Sequence, residues 1–287
     1  MLLLTVIIPA RNRHSELAEL LSDLLSQSES ASLKLEIIVV DDASQPPISV
    51  PTDTAFGQIT LVRLEQRAGA QISRRKGLAL AGGDIVHFHD SDDLLVDGWL
   101  QKVIRAFSSN ADLDVLITSR LRQSSPNGPF TEINPHIAVE LCKYPRWFCH
   151  YQRFRNAIGP IGGVTFRRSV LKETDLVDSP ASQDWLLYDV VLARYPKCAV
   201  RHDIKFVYRA IDDMRINASP RRRVKGFIVA AARRFRSDWA ARLAAIIYCA
   251  HAGSALHDVV HVRHCWFWSF VGNRVASSRI LARFTRT

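Results

Sequence analysis

Three carboxylates stand within four residues at Asp90-Ser91-Asp92-Asp93, and like charges this close repel one another unless something positive holds them. A hard divalent cation is the natural counter-charge, because Mg2+ and Mn2+ are typically held by one or two carboxylates together with phosphate oxygens. The tetrad therefore points to a metal-bound phosphorylated ligand. An acidic loop whose Asp93 caps the following helix would carry the same letters, so the weight of this signal depends on where the fold places it.

That placement follows from the apolar pattern. Leu2 to Ile8 is a continuous β-branched and leucine run ending at Pro9, as expected of a strand buried on both faces of a parallel sheet. Leucines at 17, 20, 21, 24 and 25 give His14 to Ser26 a helical period, and Leu35 to Val40 reads as a second buried strand ending in Asp41-Asp42. The alternation continues with a strand over Ile59 to Leu64, a helix over Gly69 to Ala81, a strand over Asp84 to Phe88, a helix over Asp97 to Phe107 and a strand over Leu113 to Ser119. Strands alternating with helices imply an α/β fold on a mostly parallel sheet flanked by helices, with right-handed crossovers. Ligands of such sheets bind outside the carboxyl ends of the strands, and Arg11-Asn12, Asp41-Asp42 and Asp90 to Asp93 all fall at those ends. Past residue 120 the pattern loosens: Ser124 to Pro129 reads as a turn, Gly162 to Arg167 as a strand, Gln183 to Tyr195 as a helix, and Lys197 to Arg201 and Lys205 to Arg209 as two short strands.

With 287 residues, 47% of them hydrophobic and 23% charged, the chain lies far from the composition of disorder and suits one large domain with an appendage or two modest domains. Lys and Arg number 38 against 28 Asp and Glu, a formal charge of +10, which brings nucleic acid, an anionic membrane or a polyanionic substrate into consideration. The excess sits in one place: residues 1–220 carry 25 basic and 26 acidic side chains, and residues 221–287 carry 13 and 2. A body so balanced argues against tracking along nucleic acid. Arg221 to Arg236 brackets an apolar stretch with cations, and a second helical run spans Trp239 to His251. Such a helical basic appendage can lie in the interface of an anionic membrane, with Trp239, Trp266 and Trp268 at the boundary; a helical extension that packs on the body or makes a dimer, with its arginines solvated, is the competing reading. No run reaches the ~18–20 apolar residues of a spanning helix, and the first apolar run has no basic residue ahead of it, so it suits a strand better than a signal peptide. Cysteines 142, 149, 198, 249 and 265 form no C-x-x-C pair; their odd number argues against a disulfide framework and for reduced thiols in the cytoplasm. His257, His261, His264 and Cys265 lack the second ligand pair of a zinc signature and read as ordinary side chains.

In order along the chain, Thr5-Val6-Ile7-Ile8-Pro9-Ala10-Arg11-Asn12, Ile37-Ile38-Val39-Val40-Asp41-Asp42-Ala43-Ser44, Ser73-Arg74-Arg75-Lys76-Gly77 and Gly83 to Asp93 resemble the ordered motifs of family 2 glycosyltransferases, strongly over 5–120 and more weakly over 160–219. The resemblance implies a GT-A fold and an inverting, metal-dependent transfer from a nucleotide-sugar donor to a hydroxyl of a glycan or lipid-linked glycan acceptor. It implies a catalytic domain over 1–219, with a donor half at 1–120 and an acceptor half at 121–219, ahead of the basic extension 221–287. The expected location is cytoplasmic, peripheral to the inner face of the membrane. Carried over by position, Asp42 contacts the base, Pro9, Ala10 and Arg11 wall the nucleotide pocket, and Arg74 faces the donor, while Arg75 stands where the family's A-R-N motif has its asparagine. Asp90 and Asp92 match the D-x-D pair that holds Mn2+ or Mg2+, Asp90 also toward the ribose, with Asp93 as a helper or cap. Gln183-Asp184 resembles the family's E-D pair, whose aspartate is the base for inversion, although a first-turn carboxylate serving only the helix dipole would look alike. Tyr208-Arg209 with Asn217-Ala218-Ser219, and Gly162 to Arg168, resemble later family elements, and Tyr144 to Phe148 offers aromatic faces for a sugar ring, a core or a lid.

Two rival functions fit less well. A sugar-nucleotide pyrophosphorylase would carry a glycine-rich, lysine-containing turn after its first strand, where this chain has Pro9-Ala10-Arg11-Asn12. A non-catalytic membrane- or polyanion-binding protein on a degenerate scaffold would have no need of Asp42, Asp90, Asp92 and Asp184 together.

Overall fold

A computed structural model describes residues 2–51, 57–179 and 181–210, with positions 226, 229 and 230. The basic segment 221–287, with its expected interfacial helices, tryptophans and histidines, otherwise lies outside the described residues, as do Asn217 to Ser219. In chain order the elements are β1 (Leu4–Ala10), α1 (His14–Ala31), β2 (Leu35–Asp41), β3 (Gly57–Arg63), α2 (Ala70–Leu80), β4 (Ile85–Phe88), β5 (Leu94–Leu95), α3 (Trp99–Ser108), β6 (Val115–Gln123), β7 (Phe130–Ile133), α4 (His136–Leu141), α5 (Pro145–Phe154), β8 (Val164–Arg167), α6 (Gln183–Leu192) and β9 (Cys198–Arg209).

The nine strands among the described residues form one sheet in the order β3-β2-β1-β4-β8-β6-β9-β5, with β7 paired to β6. Strands β1 to β4 are parallel, as are β6 and β9. Strand β8 runs antiparallel to both β4 and β6 and joins them, so β6 points the same way as β4. The parallel pairings are the longer ones, spanning four to nine residues against two to four for the antiparallel ones. Every residue of β1 is buried, which is why its sequence shows no polar alternation. Its Val6 and Ile8 face a core made with α1 and α3, including Leu20, Leu24, Trp99 and Phe107, while Ile7 faces a second core with Leu78 of α2, Phe148 of α5 and Leu187 of α6.

The strands and helices expected before residue 120 are present, with α1 running on to Ala31. Beyond it the structure adds β7 and α4, which were not expected, and differs in two further respects. The two expected short strands after residue 196 are a single strand, β9, whose ladder with β6 jumps from Thr118–Arg201 to Ser119–Lys205. The three residues left out of the ladder form a bulge, the usual way of bending a strand without ending it. Tyr144 to Phe148 enters a helix: Phe148 is buried in the core of the α5 side, while Tyr144 and Trp147 are exposed. Among the described residues no helix is long and apolar enough to cross a membrane.

Helix α2 lies close against β1 because of Gly77. A Cβ added there would fall on the Ile7 Cγ2 methyl, and Ile7 is wholly buried and stiff at χ1. Gly77→Ala is expected to destabilise the protein by up to about 2 kcal/mol, since overpacking of about 1–3 kcal/mol is set against a helix-propensity gain near 1 kcal/mol; a melting temperature above the parent's would contradict this packing.

Candidate functional site

The carboxyl ends of β1, β2 and β4 are held together by backbone and side-chain hydrogen bonds. After β1, the Asn12 N–H donates to Ser44 Oγ at 2.9 Å and Asn12 Oδ1 accepts the Gln45 N–H at 2.9 Å. Asp41 and Asp42 are neighbours with different duties. Asp41 is fully buried and accepts the Ser44 N–H at 2.8 Å and the Arg63 guanidinium at 2.5 Å. Burial alone would raise its pKa, but these bonds and the Arg63 charge hold it below the usual carboxylate value. Asp42 turns to the start of α2, where its two oxygens accept the N–H groups of Ala68 and Gly69 at 2.5 and 3.0 Å. Each Asp42 oxygen keeps a lone pair for a further donor. Pro9 and Ala10 are buried within β1, and Arg11, just beyond, is exposed.

Arg74 of α2 is the hub. Its side chain is only 6% exposed, and Nη2 donates to Asp90 Oδ1 at 2.5 Å. Its Nη1 donates to Gln71 Oε1 at 3.1 Å and to Gln183 Oε1 at 3.3 Å. Gln71 also reaches the Gln183 carbonyl, and Gln183 Nε2 donates to the Ser179 carbonyl at 2.7 Å. One guanidinium thus joins the acidic tetrad to the start of α6. Arg75, the next residue, turns away and donates to the Leu176 carbonyl at 2.6 Å. The position where the resembled motif has asparagine therefore serves to tie α2 to the segment before α6.

Asp184 lies in the first turn of α6, partly buried, with Oδ1 accepting the Trp185 N–H at 2.7 Å. Burial pushes its pKa from 3.8 to about 6 and the Asp90 charge adds to the rise, against the Trp185 N–H and the Arg74 charge, which lower it. That rise corresponds to roughly 3 kcal/mol, more than the about 0.3–1 kcal/mol by which a helix N-terminus ordinarily favours a carboxylate. A carboxylate there merely to complement the dipole would not be so desolvated. Tyr188, one turn on and buried, has no hydrogen-bond partner for its hydroxyl among the described residues, and burial together with the Asp184 charge pushes its pKa well above the ordinary value.

Beneath the tetrad, His87 and His89 are buried, with His87 Nε2 3.1 Å from His89 Nδ1 and the His87 ring against Trp99. Burial lowers the pKa of His89 to about 4, and burial with the neighbouring His89 lowers that of His87 well below its ordinary value. Both rings are neutral near pH 7, and the positive charge paired with Asp90 among the described residues is that of Arg74. Asp93 is buried and accepts the Arg209 N–H at 2.9 Å, and the Arg209 guanidinium is paired with Glu19 at 2.8 Å. These bonds attach the tetrad to the end of β9. Asp90 and Asp92 remain partly exposed. Among the described residues no three His, Cys, Asp or Glu side chains gather to hold an ion, so a metal here would take Asp90 and Asp92 as hard oxygen donors and complete its shell with phosphate and water, as Mg2+ and Mn2+ do.

Of the residues singled out in the sequence, Arg74, Asp90 and Asp184 are brought into one electrostatic unit, Asp42 is bonded to the start of the helix that carries Arg74, and Asp92 and Asp93 flank that unit. Gln71 and Gln183 were missed as its supports. Gln71 could have been found from its place one helical turn before Arg74, whereas the Gln183 contact crosses 109 residues of chain and has no local signal.

Residues 5–174 match the model of glycosyl transferase family 2. A Haemophilus influenzae uncharacterized glycosyltransferase is 32% identical over 114 residues, 40% of this chain and 37% of its own length. Glycosyltransferase GlyG of Streptococcus pneumoniae is 27% identical over 131 residues, 45% of this chain and 42% of its own. The chain thus spans less than half the length of these curated relatives. Among solved structures, S. aureus TarS 1–349 in complex with UDP-GlcNAc aligns with a TM-score of 0.58 at 18% identity, over 87% of this chain and 71% of that TarS 1–349 chain. The mannosyltransferase PcManGT from Pyrobaculum calidifontis, in complex with GDP-Man and Mn2+, aligns with a TM-score of 0.52 at 18% identity, over 98% of this chain and 84% of its own. Both likenesses are of fold, α/β of the GT-A type. With its motifs at the strand ends of that fold and more than half its length matched by the family model, the chain belongs to glycosyl transferase family 2.

Proposed function

We propose that the protein transfers a sugar from a nucleotide-sugar donor to the hydroxyl of a glycan or lipid-linked glycan, with inversion at the anomeric carbon and Asp184 as the base. The observation that carries this reading is the coupling of Asp184 through Arg74 to Asp90, which sets a carboxylate of raised proton affinity beside the acidic tetrad. The complexes of TarS with UDP-GlcNAc and of PcManGT with GDP-Man and Mn2+ support a nucleotide-sugar donor and a divalent ion.

In this reading Asp42, Pro9, Ala10 and Arg11 border the nucleotide, and Asp90 and Asp92 hold Mn2+ or Mg2+. When bound, that ion stabilises the charge that develops on the departing diphosphate. Arg74 fixes Asp90 for this task and lowers the proton affinity of Asp184 enough for it to be ionised at pH 7. Asp184 then accepts the proton of the attacking hydroxyl, and a base whose pKa lies near the working pH does so more effectively than an ordinary aspartate. Residues 1–219 act as the catalytic unit, and the basic segment 221–287 holds it against an anionic cytoplasmic membrane surface. A thermal-shift screen of UDP, GDP, dTDP and CMP sugars with and without Mn2+ tests donor and metal together; no stabilisation by any nucleotide sugar would remove the proposal's basis.

Four consequences can be measured. Asp92→Ala should abolish both transfer and the Mn2+-dependent part of nucleotide binding at unchanged far-UV circular dichroism. Asp184 must be ionised to accept a proton and its pKa is raised, so kcat/KM should climb about tenfold per pH unit up to about 6 and level off above it. Asp184→Asn should cut kcat by about 10²–10⁴ while melting at the same or a higher temperature, because above pH 6 the folded state bears the cost of an ionised, desolvated carboxylate that the amide does not impose. Removing the Arg74 charge removes a lowering influence, so Arg74→Met should move the acid limb of the profile to higher pH; an unmoved limb would break the proposed coupling.

A further inference from the structure

The site makes no use of Tyr144 and Trp147, yet at 59% and 70% exposed they are the two most exposed large apolar side chains among the described residues. Helix α5 sets them there. Phe148, Cys149 and Gln152 bury one face of it in the body, while Arg146, Trp147 and His150 are exposed along the other, His150 following the first two by four and three residues. Lys143 and Tyr144 are exposed just ahead of the first turn. Exposed apolar surface rimmed by polar groups marks a contact, and the charges around this patch say with what. Residues 141–155 carry Lys143, Arg146, Arg153 and Arg155 and no carboxylate, although the body of the chain is balanced. Lys143 is paired with Glu140 at 2.9 Å and Arg153 stands 3.8 Å from Asp189, whereas Arg146 and Arg155 are exposed at the two ends of the helix. A neutral glycan gains nothing from this positive field, and a second copy of the same face would be repelled by it. An anionic bilayer suits both halves of the patch, since tryptophan and tyrosine rings settle at the headgroup level and the cations beside them are drawn to the headgroup charge.

The helix is also fastened to the element that carries the proposed base. Trp185, next to Asp184 in the first turn of α6, donates its indole N–H to the Gln152 carbonyl of α5. Gly226, in the basic segment, lies against Ala181 just ahead of α6, where an added Cβ would stand 2.7 Å from the Ala181 carbonyl oxygen. Helix α5 and the start of the basic segment thus converge on the opening of α6. We propose that the exposed stripe of α5, with Tyr144, is a membrane contact built into the body itself, seating Tyr144 and Trp147 among the headgroups of an anionic bilayer beside the basic segment. The contact rests on the reading that places the protein at an anionic membrane, and it brings the opening of α6, with Asp184, to the surface where a lipid-linked acceptor would present its hydroxyl.

Vesicle binding of the full chain, which needs no donor and no turnover, tests the contact apart from the transfer chemistry. Co-sedimentation is measured with vesicles of phosphatidylcholine and phosphatidylglycerol, and with phosphatidylcholine alone, for three proteins: the parent, the double variant Tyr144→Ser with Trp147→Ser, and a variant with Arg221, Arg222 and Arg223 changed to Gln. The double variant, whose changes are at the surface and should leave the melting temperature unchanged, is expected to bind the anionic vesicles about tenfold more weakly than the parent. That loss supports the proposal even if the arginine variant binds like the parent, which would count against the basic segment alone. Unchanged binding by the double variant overturns the proposal, whether or not the arginine variant loses affinity, and so does equal binding of the parent to both kinds of vesicle. A soluble glycan that binds the parent and not the double variant, with vesicle binding unaltered, would assign the patch to a sugar and overturn the proposal as well. Independently of any loss of affinity, brominated phosphatidylcholine in the anionic vesicles should quench the tryptophan fluorescence of the parent more than that of Trp147→Phe; equal quenching means that Trp147 stays in water and overturns the proposal.

Discussion

The buried pair between Arg74 and Asp90 is the contact on which the site's arrangement turns. A guanidinium that is 6% exposed is tolerable only while its charge is paired, and its partners come from three parts of the chain: Gln71 on its own helix, Asp90 after β4 and Gln183 at the start of α6. Losing Asp90 would leave a desolvated charge unpaired, and the bond to Gln183 ties the helix bearing the proposed base to the acidic loop through the same guanidinium. Gly77 makes this geometry available by letting α2 approach β1.

Charge is handled differently at each strand end. Asp41 is spent on structure, held by Arg63 and backbone amides, while Asp42 is half committed, anchoring the start of α2. Asp90 and Asp92 remain partly open to ligands. Asp184 is kept where water is scarce, and its raised proton affinity comes from that scarcity, with a further push from Asp90. Five aspartates thus acquire four electrostatic characters.

Much of the fold was legible because burial on both sheet faces writes continuous apolar runs such as Val6 to Ile8 and Ile37 to Val40. The legibility falls where elements are too short or too irregular to show a period. Strand β5 has two residues, β9 is interrupted by a bulge that reads as a loop, and α5 opens with Tyr144-Pro145-Arg146-Trp147, which carries no clean apolar spacing. The antiparallel insertion of β8 between β4 and β6 was equally hidden. Strand direction and neighbours are set by long-range pairing and leave no trace in a four-residue segment.

By itself the sequence determined the kind of chemistry: carboxylates placed at the ends of buried strands, an arginine on the helix after them, and an aspartate opening a later helix. Those are properties of residue type and local period, which do not depend on what the chain later packs against. Tertiary structure decided which carboxylate is free to take a ligand, which is already neutralised, and which holds its proton up to about pH 6. Each of those depends on the water removed around a group and on charges brought near it from elsewhere in the chain, and both are created only when α2, β4, β6 and α6 come together.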